Sequence, residues 1–408
     1  MQNEVQQRVG SSGSRSYFDA FRPAAVYRPP MRGREASGGD DRLNDHRQVV
    51  DFARCSYLGL HSHPLVVAGA IEAIEAHRSR EAGCTRTSVF FDLLEELKTT
   101  LSKMFSARVV AFPSGTPATV RAMPVLASGQ LTGGRRPVVV FDRLTRIALG
   151  YDKTVSTHET RVEMIEHNDI YALERLCREN PMIAYVCDGA YSTGGCSPIK
   201  ELRQLQERYG LFLLIDDAHG LSILGCQGEG FARSQFPECL DERTVITSSL
   251  AKGFGASGEL LMLGSAEHEA LFRRCYISDA ISTAPNLAAV GAALGSCKVQ
   301  STELSERQSR LAQKIDIFDR HLATAEQGNP FPIRLITVGS EANARAIARD
   351  LLDCGFHVLA RAVPTAGQRN ARIRLCITAE HETKDVEQLC ESILENVVKT
   401  NGKPYPLR

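Results

Sequence analysis

Ile215-Asp216-Asp217-Ala218-His219-Gly220 and, further on, Thr247-Ser248-Ser249-Leu250-Ala251-Lys252-Gly253-Phe254-Gly255 are the stretches that decide how this chain is read. The first follows an apolar run, Leu211 to Ile215, bounded by Gly210, and a short run between turn signals reads as a buried strand. Two carboxylates and a histidine directly after it fall at the carboxyl end of a sheet, where α/β folds put ligands. The second stretch repeats the logic. Val245-Ile246-Thr247 reads as a short strand, and a lone lysine follows among small residues. Flanked by Ala251 and Gly253, Lys252 has no packing role and no helix surface to occupy. The setting suits a Schiff-base lysine, with room for a ligand and a desolvated amine of lowered pKa.

Working outward, the whole chain has 408 residues, enough for two or three domains. With 43% hydrophobic and 24% charged residues, it has the composition of a globular protein able to bury a large core. Lysine plus arginine equals aspartate plus glutamate at 48 each, which argues against nucleic acid or another polyanion as partner. No apolar run reaches the length of a membrane span. Met1-Gln2-Asn3-Glu4-Val5 lacks the charged-then-apolar order of a secretory signal. The 12 cysteines form no C-x-x-C pair, so the expectation is reduced thiols in a cytoplasmic protein, with no disulfide framework and no metal site.

Residues 1–46 are rich in Gly, Ser, Arg, Pro and Asp, with Gly10-Ser11-Ser12-Gly13-Ser14 linker-like. They read as a partly disordered arm, either packed on a partner subunit or a plain tail. Val49 to Phe52 reads as a strand, Pro64 to His77 as a helix, and Leu93 to Phe105 as an amphipathic helix. Val109 to Phe112 is a strand running into Pro113-Ser114-Gly115-Thr116-Pro117-Ala118-Thr119, with a helix behind. Such a turn cradles an anion, because free N–H groups and the helix dipole both favour negative charge. Pro137 to Phe141 and Ile183 to Cys187 are further strands, ending at Asp142 and Asp188. Helical patterning covers Leu287 to Val299, a long helix suits Ser301 to Ala325, and residues 330–400 alternate strand and helix.

In this order the motifs resemble the fold-type-I pyridoxal phosphate (PLP) enzymes and, more narrowly, their α-oxoamine synthase branch. Ser56-Tyr57-Leu58-Gly59-Leu60 resembles that family's opening motif, with Cys55 where relatives carry an asparagine. Gly83-Cys84-Thr85-Arg86 resembles its Gly-Gly-Ser-Arg loop. Asp142-Arg143-Leu144-Thr145-Arg146 resembles Asp-x-x-x-His, with Arg146 in place of the ring-stacking histidine. A guanidinium also stacks on a ring but does not shuttle protons as imidazole does. Tyr191-Ser192-Thr193-Gly194 is similar to the autoinducer-synthase members, and Ser282-Thr283-Ala284-Pro285 to a loop that reaches the other subunit's phosphate.

The fold implied by the resemblance is aspartate-aminotransferase-like. A large PLP-binding domain, residues 47–300, would carry a mixed, mostly parallel seven-stranded sheet. Residues 301–408 would form a smaller C-terminal α/β domain on which the opening segment 47–62 packs. The implied cofactor is pyridoxal 5'-phosphate. Lys252 would hold its aldehyde, Asp216 its ring nitrogen and His219 its phenolic oxygen. Ser114, Gly115, Thr116, Ser249, Ser282 and Thr283 would serve the phosphate, while Arg146, Asp188 and Ser192 would face the ring. His167 and Asp217 read as structural.

For the substrate carboxylate, Arg374 fits one family pattern and Arg361 another, offset by one residue, with Cys55 nearby. Strand alternation puts Arg372 on the same face as Arg374 and does not choose between them. The implied reaction condenses an amino acid with an acyl thioester, of coenzyme A or a carrier protein. It gives an α-aminoketone with loss of carbon dioxide or the Cα proton, in a homodimer with shared active sites. The alternative is an aminotransferase or lyase of secondary metabolism. Lys252 argues against a non-catalytic partner subunit.

Overall fold

The computed structural model describes residues 40–42, 48–77, 92–112, 118–145, 160–275, 286–361 and 371–401. Two short antiparallel strands, β1 (Asp40–Arg42) and β2 (Gln48–Asp51), come first. Helices α1 (Pro64–His77) and α2 (Asp92–Phe105) follow, then β3 (Arg108–Phe112) and α3 (Ala118–Ala127). From there strand and helix alternate: β4 (Val138–Asp142), β5 (Val162–Ile165), α4 (Ile170–Glu179), β6 (Ile183–Asp188), α5 (Ile199–Tyr209) and β7 (Phe212–Asp216). A single turn, α6 (Phe231–Ser234), precedes β8 (Thr244–Ser249), β9 (Glu259–Leu263) and α7 (Ala266–Cys275).

These strands form a seven-stranded sheet in the order β3-β9-β8-β7-β6-β4-β5. Only β9 runs against the rest. The mixed, mostly parallel sheet expected from the sequence is therefore present. Parallel pairing requires crossovers, which the intervening helices supply. It also buries both faces, and β6, β7 and β8 are buried along their whole length. Alternate residues feed two cores. Tyr185, Cys187, Leu213, Ile215 and Ile246 face one, while Ala184, Val186, Phe212, Leu214 and Val245 face the other.

Helix α8 (Leu287–His321) runs 35 residues, with Asn286 capping its start by accepting from the Ala289 N–H at 2.7 Å. It passes unbroken through the boundary expected at residues 300/301, where the sequence had suggested two helices and an end at Ala325. No proline interrupts it, and the Ser301 and Thr302 hydroxyls bond back to the carbonyls of Lys298 and Val299. Against α1 it packs backbone to backbone: a Cβ on Gly291 would lie 2.1 Å from Gly69 O. Beyond α8 come β10 (Ile333–Gly339), α9 (Glu341–Asp353), β11 (Phe356–His357), β12 (Leu359–Arg361), β13 (Ala371–Cys376) and α10 (Thr383–Asn401).

The strand order β10-β13-β12 makes an antiparallel sheet, and β11 pairs in parallel with β2. The buried Arg334 of β10 grips Asp319 of α8 through Nε and Nη2, both at 2.7 Å, which fixes this second sheet on the long helix. Phe52, Tyr57, Leu58 and Leu60 enter the same core as Ile336, Leu351, Ile373 and Leu389. Backbone bonds from Cys376 N–H to Phe52 O (2.7 Å) and from Ala379 N–H to Tyr57 O (2.8 Å) seat the opening segment beside β13.

Candidate active site

The ladder of the large sheet brings chemistry to its carboxyl edge. Asp188, last residue of β6, is paired with Asp216, last residue of β7, and Asp216 is paired with Thr247 of β8. Side chains on adjacent strand ends in register must stand together. Asp216 is 7% exposed. Its Oδ2 accepts from the Thr119 hydroxyl at 3.1 Å, and its Oδ1 accepts from Ala218 N–H at 3.1 Å. Thr119 also meets the Thr247 hydroxyl at 2.6 Å, so the first turn of α3 is held against the ends of β7 and β8. Asp188 accepts a hydrogen bond from Thr145.

Asp217 points the other way, as its structural reading requires. Its Oδ2 accepts from Ala232 N–H at 2.8 Å and fastens α6, while Oδ1 has no hydrogen-bond partner among the described residues. Burial pushes its carboxyl up to about 8, and the Asp216 charge adds to the shift. His167 is also structural, with Nδ1 on Asp142 Oδ1 at 3.0 Å. That hydrogen bond and backbone donors hold Asp142 below the usual carboxylate range, against the opposing effect of burial.

His219 is buried, and its Nδ1 lies 2.7 Å from the Tyr57 hydroxyl. Burial raises the Tyr57 pKa well above the usual phenol value, and the contact with Nδ1 fixes the His219 ring. Lys252 is half-buried in the loop after β8, whose turn is closed by Gly255 N–H to Lys252 O at 3.0 Å. Gly255 has φ +75, and a Cβ there would stand 2.4 Å from the Leu60 side chain, so the lysine loop and the opening segment meet at a residue that must be glycine. Ser249 lies opposite Glu259 of β9. Burial raises the Glu259 carboxyl pKa, opposed first by a hydrogen bond with Ser249, and Glu259 also feels the charges of Asp216 and Lys252.

A second cluster lies where the opening segment meets β13. Arg374 is 4% exposed; its Nε donates to Ser192 O at 3.0 Å and its Nη2 to Cys55 Sγ at 3.6 Å. Ser192, Cys55 and Arg374 are thus one group. Arg361 is exposed on β12, its Cα paired with Arg372. Ser114, Gly115, Thr116, Arg146, Ser282, Thr283 and the Gly83-to-Arg86 loop lie outside the described residues. Thr119, Thr247, Tyr57, Glu259 and Cys376 were not singled out as site residues from the sequence. Thr119 and Tyr57 sit inside motifs already quoted, whereas Glu259 and Cys376 carry no local signal.

The profile of the aminotransferase class I and II family matches residues 47–393. The chain belongs to this family. Among family members it is similar to 8-amino-7-oxononanoate synthase of Geobacter sulfurreducens, at 30% identity over 90% of this chain and 93% of the relative. Among solved structures it is similar to the serine palmitoyltransferase of Sphingomonas wittichii, at TM-score 0.78 and 18% identity, covering 96% and 98% of the two chains. A lysine-to-alanine variant of the serine palmitoyltransferase of S. paucimobilis, with a bound PLP–myriocin aldimine, aligns at TM-score 0.78 and 18% identity, covering 91% and 93%. These relatives bear out the resemblance to α-oxoamine synthases, and the fold is PLP fold type I. No helix among the described residues is long and apolar enough to cross a membrane.

The residues of this family site fit pyridoxal phosphate. A buried carboxylate held by two donors, an imidazole fixed through Nδ1 and a primary amine share the carboxyl edge of one sheet, with the first turn of α3 alongside. These are the groups that a pyridinium nitrogen, a phenolic oxygen, an aldehyde and a phosphate require.

Proposed function

We propose that this chain is a PLP-dependent C-acyltransferase that condenses an amino acid with an acyl thioester to give an α-aminoketone. The observation that carries the reading is the register of β6, β7 and β8, which sets Asp188, Asp216 and the Lys252 loop on one edge beside the start of α3. The similarity to 8-amino-7-oxononanoate synthase and serine palmitoyltransferase supports condensation over other chemistry of the family. When bound, pyridoxal phosphate supplies an electron sink that stabilises negative charge at the substrate Cα.

Asp216 keeps the ring nitrogen protonated, and Thr119 and Ala218 hold the carboxylate in place for that task. His219, fixed by Tyr57, donates to the phenolic oxygen. Ser114, Gly115, Thr116 and Ser249 would take the phosphate, joined by Ser282 and Thr283 of the second subunit of a homodimer. Arg146, Asp188 and Ser192 would be the residues facing the ring. Lys252 Nζ would hold the aldehyde and, once displaced from it by the substrate amine, would serve as the general base for the proton at Cα. Arg374 takes the substrate carboxylate in preference to Arg361, because it is buried next to Ser192 and Cys55 while Arg361 faces solvent.

The test incubates PLP-loaded protein with a panel of amino acids and an acyl-coenzyme A or acyl carrier protein. Free thiol and an aminoketone, both dependent on one amino acid, are the expected products. Formation of a keto acid with no thiol released would reassign the chain to transamination.

A further inference from the structure

Cys55 and Cys376 are 321 positions apart in sequence, yet their sulfurs lie 3.8 Å apart. Cys55 follows β2, and Cys376 is the last residue of β13. The backbone bonds at Phe52 O and Tyr57 O bracket Cys55 and hold both chain segments. A disulfide needs its sulfurs at about 2.05 Å, so closure must bring these two together by just under about 2 Å.

The two thiols differ in setting. Cys55 is partly exposed and within reach of the Arg374 guanidinium, whereas Cys376 is fully buried. The hydrogen bond with Cys376, with the positive charge of Arg374 behind it, draws the Cys55 pKa below the ordinary thiol value against the effect of burial. That same hydrogen bond, with burial, raises Cys376. Elsewhere burial pushes Cys177 up to about 11 and Cys297 and Cys390 up to about 12.

We infer that Cys55 and Cys376 are a redox-active dithiol, Cys55 the attacking and Cys376 the resolving thiol, which closes to a reversible disulfide beside Arg374. The oxidant is a hydroperoxide. The Cys55 thiolate attacks the terminal peroxide oxygen, the O–O bond breaks, and Cys55 becomes a sulfenic acid as hydroxide leaves and takes up a proton. Cys376 then attacks the Cys55 sulfur, the S–O bond breaks, and water departs with the Cys376 proton. Two thiols and hydrogen peroxide yield one disulfide and two waters. Closure removes the negative sulfur next to the guanidinium. This last consequence bears on substrate binding only through the reading of Arg374 given above, whereas the bond itself does not depend on it.

The experiment oxidises the holoenzyme with hydrogen peroxide and maps non-reduced peptides by mass, a readout independent of any substrate. The expected product is a Cys55–Cys376 linked peptide, lost on treatment with dithiothreitol. In Cys376→Ser, dimedone should trap a sulfenic acid at Cys55, and in Cys55→Ser the remaining thiol at 376 should stay reduced. Iodoacetamide at pH 6 should alkylate Cys55 about tenfold faster than the exposed Cys226. Oxidation confined to Cys226, Cys239 and Cys354, with no linked peptide and no dimedone adduct at Cys55, would overturn the inference.

Discussion

The carboxyl edge of the large sheet and the crevice beside β13 are both lined by buried polar groups, but they are assembled differently. At the edge, Asp188, Asp216 and Thr247 are brought together by ladder register, so local strands place them. In the crevice, Arg374 meets Cys55 across 319 positions of sequence, through the seating of the opening segment on β13. On the proposed function, the groups that handle protons would stand on the sheet edge, and those that recognise substrate would stand where the opening segment meets β13.

Replacing one residue in each region tests this division. Lys252→Ala should lower kcat by about 10³- to 10⁴-fold, since it removes both the aldehyde's amine and the Cα base. Arg374→Ala should instead raise the amino-acid KM by about tenfold to a hundredfold with kcat much less affected. Steady-state kinetics with the amino acid varied separates the two. A fall in kcat alone for Arg374→Ala would remove Arg374 from substrate recognition.

Tyr57→Phe sharpens it, because Tyr57 comes from the crevice side yet holds His219 of the edge. Loss of one hydrogen bond should cost about threefold to tenfold in kcat, with KM unchanged. An altered KM instead would assign Tyr57 to recognition.

The smallest effect concerns Asp217. Its folded-state pKa is raised to about 8. The native state therefore keeps a proton that an unfolded aspartate releases near pH 4. The stabilisation is complete below about pH 4 and is lost as pH rises through about 8. Tm should fall by roughly 1 °C per kcal/mol lost over that window, and Asp217→Asn should flatten the fall. Thermal melts at stepped pH read it, and an unchanged slope in the variant would remove Asp217 as its source.

Much of the edge was legible in the sequence. The runs Leu211 to Ile215 and Ile183 to Cys187 are bounded by turns and end in aspartates, so strand, direction and carboxyl end follow from local pattern. Strand β9 was not foreseen: Glu259-Leu260-Leu261-Met262-Leu263 has neither alternation nor β-branched residues, and only its neighbours make it a strand. Glu259 was missed with it. The continuity of α8 was hidden because Ser301 and Thr302 weaken the pattern, yet their hydroxyls bond within the helix. The pairing of Cys55 with Cys376 is a tertiary contact with no periodic signature. Motifs report what neighbours along the chain do, and the crevice is made by residues that are not neighbours.

Borohydride reduction of the PLP-loaded protein, followed by peptide mapping, reaches the central claim most directly. One pyridoxyl group per chain is expected, on the peptide that contains Lys252. A pyridoxyl group on any other lysine, or on none, would contradict it.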